Sequence, residues 1–405
     1  MVSARASLLA LLLAPLVACG PGGEDGTDAS TDASTDASTD TAGTDTAGTD
    51  TDGLEVVPGC GDATLLVRPE DPAARGPWPV GARTVSVGAL TVEVWYPAAP
   101  GSEIDVPPVL YDIREQLPPE EAQKLGDVEN PWVECACQGE LPLDELRGPY
   151  PVIAFIHGTA GFRQQSLTHM VHWASRGFVV VAADYPGLKL ADMLSLLCPF
   201  EASGEQDLRG DTLAVLDAVT AGAGDLAFLS GHVDMDRVAL AGHSAGGNAV
   251  ATNADLPGVQ VVIPMASGSA VDQASVASTL FLGADADKVV DFDKTKVAYE
   301  ASAGPRRLVG IGNTGHLAFS DICSLRAEDG RDLVTVAADA GICGIEFAGA
   351  LFDCSPAYLP DPDAWAITNY ATSAVLEEAL HCAAAPDLAA IQTVYPDVAE
   401  YREQL

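Results

Sequence analysis

The chain has 405 residues and carries 58 Asp and Glu against 20 Lys and Arg, a formal net charge of −38 at pH 7. So acidic a molecule repels polyanions, which excludes nucleic acid as a partner and a polyanionic substrate. With nine cysteines, the composition points to a protein that works outside the reducing cytosol.

The chain starts with Arg5, the apolar run Leu8 to Leu13 and the exit Leu16-Val17-Ala18-Cys19. That order reads as an export signal (residues 1–19), too short to span a bilayer. Leu-Val-Ala-Cys resembles a bacterial lipobox, which implies cleavage before Cys19 and lipidation of its thiol. Gly20, the next residue, implies by the same resemblance an exported lipoprotein of the outer membrane or cell surface, touching the membrane only through that lipid. Residues 20–57 follow as a Thr/Asp-rich spacer, with Thr-Asp-Ala-Ser repeated over 27–38 and Thr-Ala-Gly-Thr-Asp over 41–50. It has no apolar periodicity to offset the entropy of ordering it, so a disordered linker is expected. Ten of the acids lie there, which leaves most of the negative charge on the folded domain expected over 58–405.

Arg83 to Pro97 alternates apolar and polar residues about Gly88-Ala89, which predicts an antiparallel hairpin at a sheet edge. Residues 98–148 are rich in Pro and Glu and read as a surface insertion with a short helix near 117–125. Continuous apolar runs then appear at 152–156, 178–182, 238–241, 259–263, 279–282 and 308–311. Segments of helical period lie between them, at 165–175, 207–221, 245–253 and 292–302, and a closing amphipathic helix is expected over 364–382. Apolar strands alternating with helices define an α/β fold, a mainly parallel sheet covered on both faces. Its ligand site belongs at the carboxyl ends of the strands. A further insertion is expected over 326–362. Apart from Cys19, eight cysteines remain, enough for four disulfides in 105 possible pairings. They are expected mainly to pin 98–150 and 321–365.

The most informative stretch is Gly242-His243-Ser244-Ala245-Gly246, a G-x-S-x-G between an apolar strand and a small-residue helix. In that context the turn lifts a serine into a strained, exposed position, as in the α/β-hydrolase fold. Ser244 is the candidate nucleophile. His316, where the strand 308–311 gives way to a Gly-rich loop, is the candidate base. The acid is expected after the strand 279–282, at Asp287 or, second, Asp285; either gives the chain order Ser, Asp, His. The oxyanion donors are expected to be the N–H of Ala245 and that of Thr159, with Ala160 second. His243 reads as a packing residue. Cys135-Ala-Cys137 has no partner cluster of metal-ligand spacing, and this machinery needs neither metal nor organic cofactor.

His157-Gly158-Thr159-Ala160-Gly161-Phe162-Arg163, Trp173 to Val180 and Gly242 to Gly247 together resemble platelet-activating-factor acetylhydrolases and bacterial cutinase-like polyester hydrolases. Gly283 to Val290 is similar to the acid loop of the latter, which implies Asp287 as the acid. His316 with Phe319, Ser320 and Asp321 resembles the acetylhydrolase histidine motif. The chain has Ala266-Ser267-Gly268-Ser269 where polyester hydrolases place an aromatic clamp, and Ser244 where dienelactone hydrolases use cysteine. The function implied is a serine carboxylic-ester hydrolase, monomeric, acting on a small-molecule or lipid ester through an acyl-enzyme. A peptidase or acyltransferase on the same fold, or a catalytically dead surface binding module, is the alternative.

Overall fold

The computed structural model describes residues 47–405 apart from 385 and 386. The export segment with Cys19, and the spacer as far as residue 46, lie outside the described residues. Three short strands, β1 (Gly48–Thr49), β2 (Glu55–Pro58) and β3 (Thr64–Leu66), form a small antiparallel sheet. The spacer expected to run to Val57 therefore ends in ordered chain. Asp50 Oδ1 accepts from the N–H groups of Asp52 and Leu54, and its other oxygen pairs with the buried Arg147. Val56 and Val57 lean on the core around Leu65.

Eleven strands make the main sheet: β4 (Val80–Val87), β5 (Leu90–Pro97), β6 (Pro108–Tyr111), β7 (Val133–Gly139), β8 (Tyr150–Ile156), β9 (Val179–Ala183), β10 (Val233–His243), β11 (Val259–Met265), β12 (Ser278–Ala284), β13 (Arg306–Ile311) and β14 (Val398–Gln404). Their spatial order is β14-β13-β12-β11-β10-β8-β9-β5-β4-β7-β6. The run from β13 to β9 is parallel throughout. These strands are apolar end to end because both their faces are covered. In β8, Ile153 and Phe155 enter one core while Val152, Ala154 and Ile156 enter the other. The long helices sort accordingly. α1 (Leu167–Ser175) and α5 (Asp361–Leu380) cover the first face; α2 (Leu208–Ala221), α3 (Ala245–Thr252) and α4 (Phe292–Ala301) cover the second.

Two edges differ from expectation. The hairpin β4–β5 is not at the margin, because β7 pairs parallel with β4 and β6 pairs with β7. The insertion 98–148 thus extends the sheet. Its strand signal is short: Val133, Cys135 and Cys137 point inward while Glu134 and Ala136 are exposed. At the other margin β14 runs antiparallel to β13. Its Glu400, Arg402 and Glu403 hid it from a search for apolar runs, and such charge is what an edge strand carries to discourage further pairing. Among the described residues no helix is long and apolar enough to cross a membrane.

All eight described cysteines are paired, as Cys60–Cys382, Cys135–Cys137, Cys198–Cys343 and Cys323–Cys354. Cys323–Cys354 closes the expected segment, whereas Cys60–Cys382 fastens the start of the domain to the end of α5. The two insertions also share a satellite core, Leu125 packing with Ala327, Val336 and Ile342. Lys124 donates to the Gly341 carbonyl, and the Cys343 N–H donates to Glu121.

The loop after β13 is held from below by the start of α1. Ser166 Oγ donates to the Phe319 carbonyl at 2.7 Å, and the Thr168 N–H donates to Asp321 Oδ2 at 2.8 Å. Asp321 Oδ1 is buried without a partner. Burial pushes the Asp321 carboxyl up to about 7, well above its value of about 3.9 in an unfolded chain.

Two stability outcomes are expected. Replacing Cys60 and Cys382 together by Ser removes a link across 322 residues and should cost about 2–5 kcal/mol, read as a lower thermal midpoint under non-reducing conditions. For Asp321, between about pH 4 and pH 7 the folded chain holds a proton that the unfolded chain has lost, so stability falls as pH rises through that window. Asp321→Asn should therefore melt above the wild type at pH 8, by on the order of a few degrees. The difference should close as the pH falls toward about 4; a gap independent of pH would contradict the assignment.

Candidate active site

The parallel sheet reverses its winding at β8. The chain leaves β8 for β9 on one side, then returns to place β10 on the other. The loops after β8 and β10 thus open away from each other at the carboxyl ends, where α/β sheets leave a crevice. Residues 157–161 follow β8 and Ser244 follows β10, so both lie at this reversal.

Ser244 has φ 56° and ψ −117°, a strained conformation for a residue with a Cβ. It is held there by its N–H, which donates to the Met265 carbonyl at 2.9 Å. α3 starts at the next residue and passes so close to β8 that a Cβ on Gly246 would strike the carbonyls of Ile156 and His157. Across the gap, a Cβ on Gly158 would lie 3.3 Å from that of Ser244. The backbone N–H groups around the serine are not equivalent. Gly158 donates to Gln165 Oε1 at 2.9 Å, Ala160 to the Leu188 carbonyl at 2.9 Å and Gly161 to the Gly158 carbonyl at 3.0 Å. From Gly158 to Gly161, Thr159 is the residue whose N–H no described group accepts. Ala245, the first residue of α3, also offers a free N–H, with the helix dipole behind it.

Under the loop lies Arg163, buried against Asp184 Oδ2 at 2.5 Å and with Glu93 Oε2 at 3.6 Å. The Arg163 N–H donates to the other Asp184 oxygen at 2.8 Å. Burial raises the Glu93 carboxyl, which Thr84, Tyr111 and Arg163 surround with donors and positive charge.

His316 opens a short turn after β13, and its Nδ1 lies 2.7 Å from Asp287 Oδ2. The other carboxylate oxygen of Asp287 accepts from the N–H groups of Val289 at 2.7 Å and Val290 at 2.8 Å. Asp287 is therefore fixed through both oxygens and buried. Asp285 is exposed and, among the described residues, its side chain accepts only from the Thr314 N–H, at 3.4 Å. The structure brings Asp287 to the imidazole, and not Asp285. His243 sits beside that ring, with centroids 4.6 Å apart, and its Nε2 lies 2.8 Å from the His316 carbonyl. Burial, then the neighbouring His316, hold His243 well below the usual imidazole range. Among the described residues no hydrogen bond joins Ser244 Oγ to His316, a contact that often tightens only when substrate is bound.

Both insertions border this ground. Tyr358 packs its ring on Gly315, where a Cβ would have no room. Asn313 donates to the Ala357 carbonyl, the Leu359 N–H donates to the Asn313 carbonyl, and Lys288 pairs with Asp353 at 2.9 Å. From the first insertion, Gln116 donates to Gln164 at 3.3 Å. The sequence reading missed these contacts and also Gln165. Arg163-Gln164-Gln165-Ser166 looks like the polar start of a surface helix, yet all four side chains are buried. Among the described residues no group of three or more His, Cys, Asp or Glu could hold a metal ion.

Residues 141–272 match the family model described as Chlorophyllase; no curated protein matches the chain. The matched span holds β8, the loop at 157–161, β10 and the serine elbow, and stops short of Asp287 and His316. Chlorophyllases are α/β-hydrolases. The sheet order, the elbow and this match together place the chain in the α/β-hydrolase fold.

Proposed function

We propose that the chain is a serine hydrolase of carboxylic esters, with Ser244 as nucleophile, His316 as base and Asp287 as the acid that orients it. The observation that carries the reading is the His316 Nδ1 to Asp287 contact of 2.7 Å, made on two loops beside a strained serine elbow. The chlorophyllase match over the elbow and the loop before it favours an ester over an amide.

In this mechanism Ser244 Oγ attacks the acyl carbon while His316 Nε2 takes its proton. Asp287 keeps the proton on Nδ1, so that Nε2 faces the serine as an acceptor, and then stabilises the imidazolium. The oxyanion is held by the N–H groups of Ala245 and Thr159. Ala160 is the poorer donor because Leu188 already takes its N–H. The imidazolium protonates the departing alcohol. Water, deprotonated by His316, then attacks the acyl-enzyme, releases the acid and restores the serine hydroxyl.

The lipobox-like Leu16 to Cys19 supports an exported lipoprotein of the outer membrane or cell surface, and four disulfides suit an oxidising compartment. On this reading the enzyme works as a monomer on a small-molecule or lipid ester, with no cofactor.

Hydrolysis of p-nitrophenyl butyrate tests the assignment. Ser244→Ala should abolish turnover and labelling by a fluorophosphonate probe. Asp287→Asn should lower kcat by on the order of 10⁴-fold, whereas Asp285→Asn should keep most of the activity. Full turnover by Ser244→Ala would overturn the proposal.

A further inference from the structure

Gln165 and His243 form a series of three hydrogen bonds whose directions follow from one another, two of them made by the Gln165 amide. The Gly158 N–H can only donate, and it meets Gln165 Oε1 at 2.9 Å. The amide is thereby oriented, so Nε2 is the atom that faces His243 Nδ1 at 2.8 Å. An amide nitrogen only donates, so Nδ1 of His243 must accept and carries no proton. In the neutral ring the proton then resides on Nε2, which donates to the His316 carbonyl at 2.8 Å. The residues of this series are buried: Gln165 is 2% exposed, His243 2% and His316 3%. Gln165 also accepts, through its backbone carbonyl, the N–H of Asp321 at 2.8 Å.

We propose that Gln165 is a positioning residue that locks the loop after β8, the serine elbow and the histidine loop into one register by fixing the tautomer of His243. The inference rests on the reading of Ser244 and His316 given above. His243 has no contact with substrate in this scheme; it transmits the orientation of Gln165 to the backbone of His316. The ionisable neighbours of His243 are His316 and, from α1, His169. A proton added to His243 would turn Nδ1 into a donor aimed at the amide N–H₂. Loss of the Nε2 proton to Nδ1 would instead set Nε2 against the His316 carbonyl. Both break the series, so only one protonation state of His243 satisfies all three bonds.

Gln165→Glu isolates the point, because it keeps the length and the acceptor for Gly158 but removes the donor for His243. The carboxylate then draws a proton onto Nδ1, and the bond to His316 survives only while His243 is a cation. The expected result is a kcat for p-nitrophenyl butyrate at pH 8 lower by about tenfold to a hundredfold, with KM changed less. The loss should shrink toward pH 6, where the wild type gains nothing. Gln165→Ala should lose activity without that pH dependence. Nitrogen-15 spectra of histidine-labelled wild-type protein give a readout that needs no activity: His243 should show a protonated Nε2 and a bare Nδ1 from pH 6 to pH 8. A protonated Nδ1 in the wild type, or a Gln165→Glu variant that melts and turns over like the wild type at both pH values, would overturn the inference. If the wild type hydrolyses no ester yet shows the expected tautomer, the ester assignment fails while the lock stands.

Discussion

Gly242 and Gly246 let α3 cross the end of β8 with its backbone almost on the carbonyls of Ile156 and His157. That crossing is the constraint on which the rest of the site depends. It brings the helix N-terminus and the loop at 157–161 to the same point, on either side of Ser244. It also forces Ser244 into a positive φ, and the surrounding parallel strands hold it there through Met265. A side chain at either glycine would push the two loops apart. The strain at the serine persists because buried strands on each side leave the elbow no other path.

The remaining groups are delivered by loops with little regular structure, and the molecule compensates by burying polar contacts beneath them. Arg163 with Asp184 and Glu93 anchors the loop after β8, Val289 and Val290 grip Asp287, and Ser166 and Thr168 support the turn after His316. Buried polar groups are costly unless satisfied, and when satisfied they fix a single arrangement. Asp321 Oδ1 and Arg163 Nε stay buried without a hydrogen-bond partner, and the raised titration of Asp321 follows from its burial. The two insertions meet in the satellite core around Leu125 and Ile342 and reach the site through Gln116 on Gln164 and Tyr358 on Gly315. Variation in substrate preference among chains with this sheet would reside there.

The parallel strands from 152 to 311, the helices between them and the place of Ser244 are legible in the chain alone, because each is written in local periodicity or a short motif. A buried strand is apolar throughout, and an elbow needs its glycines at fixed spacing, so neighbours in the chain suffice to see them. The sequence also narrowed the acid to two aspartates in one loop. Which of the two meets His316 is visible only in the folded chain, where Asp287 does so. Asp285 and Asp287 have the same chemistry and differ in which one the turn buries against His316. Tertiary pairing likewise set the four disulfides, the strands β6, β7 and β14, and the burial of Arg163 to Ser166. Those strands are short or charged, and their partners lie far away in sequence, so no local pattern marks them. Gln165 belongs to the same class: an amide reads as surface until Gly158, from the loop after β8, and His243, at the end of β10, close on it.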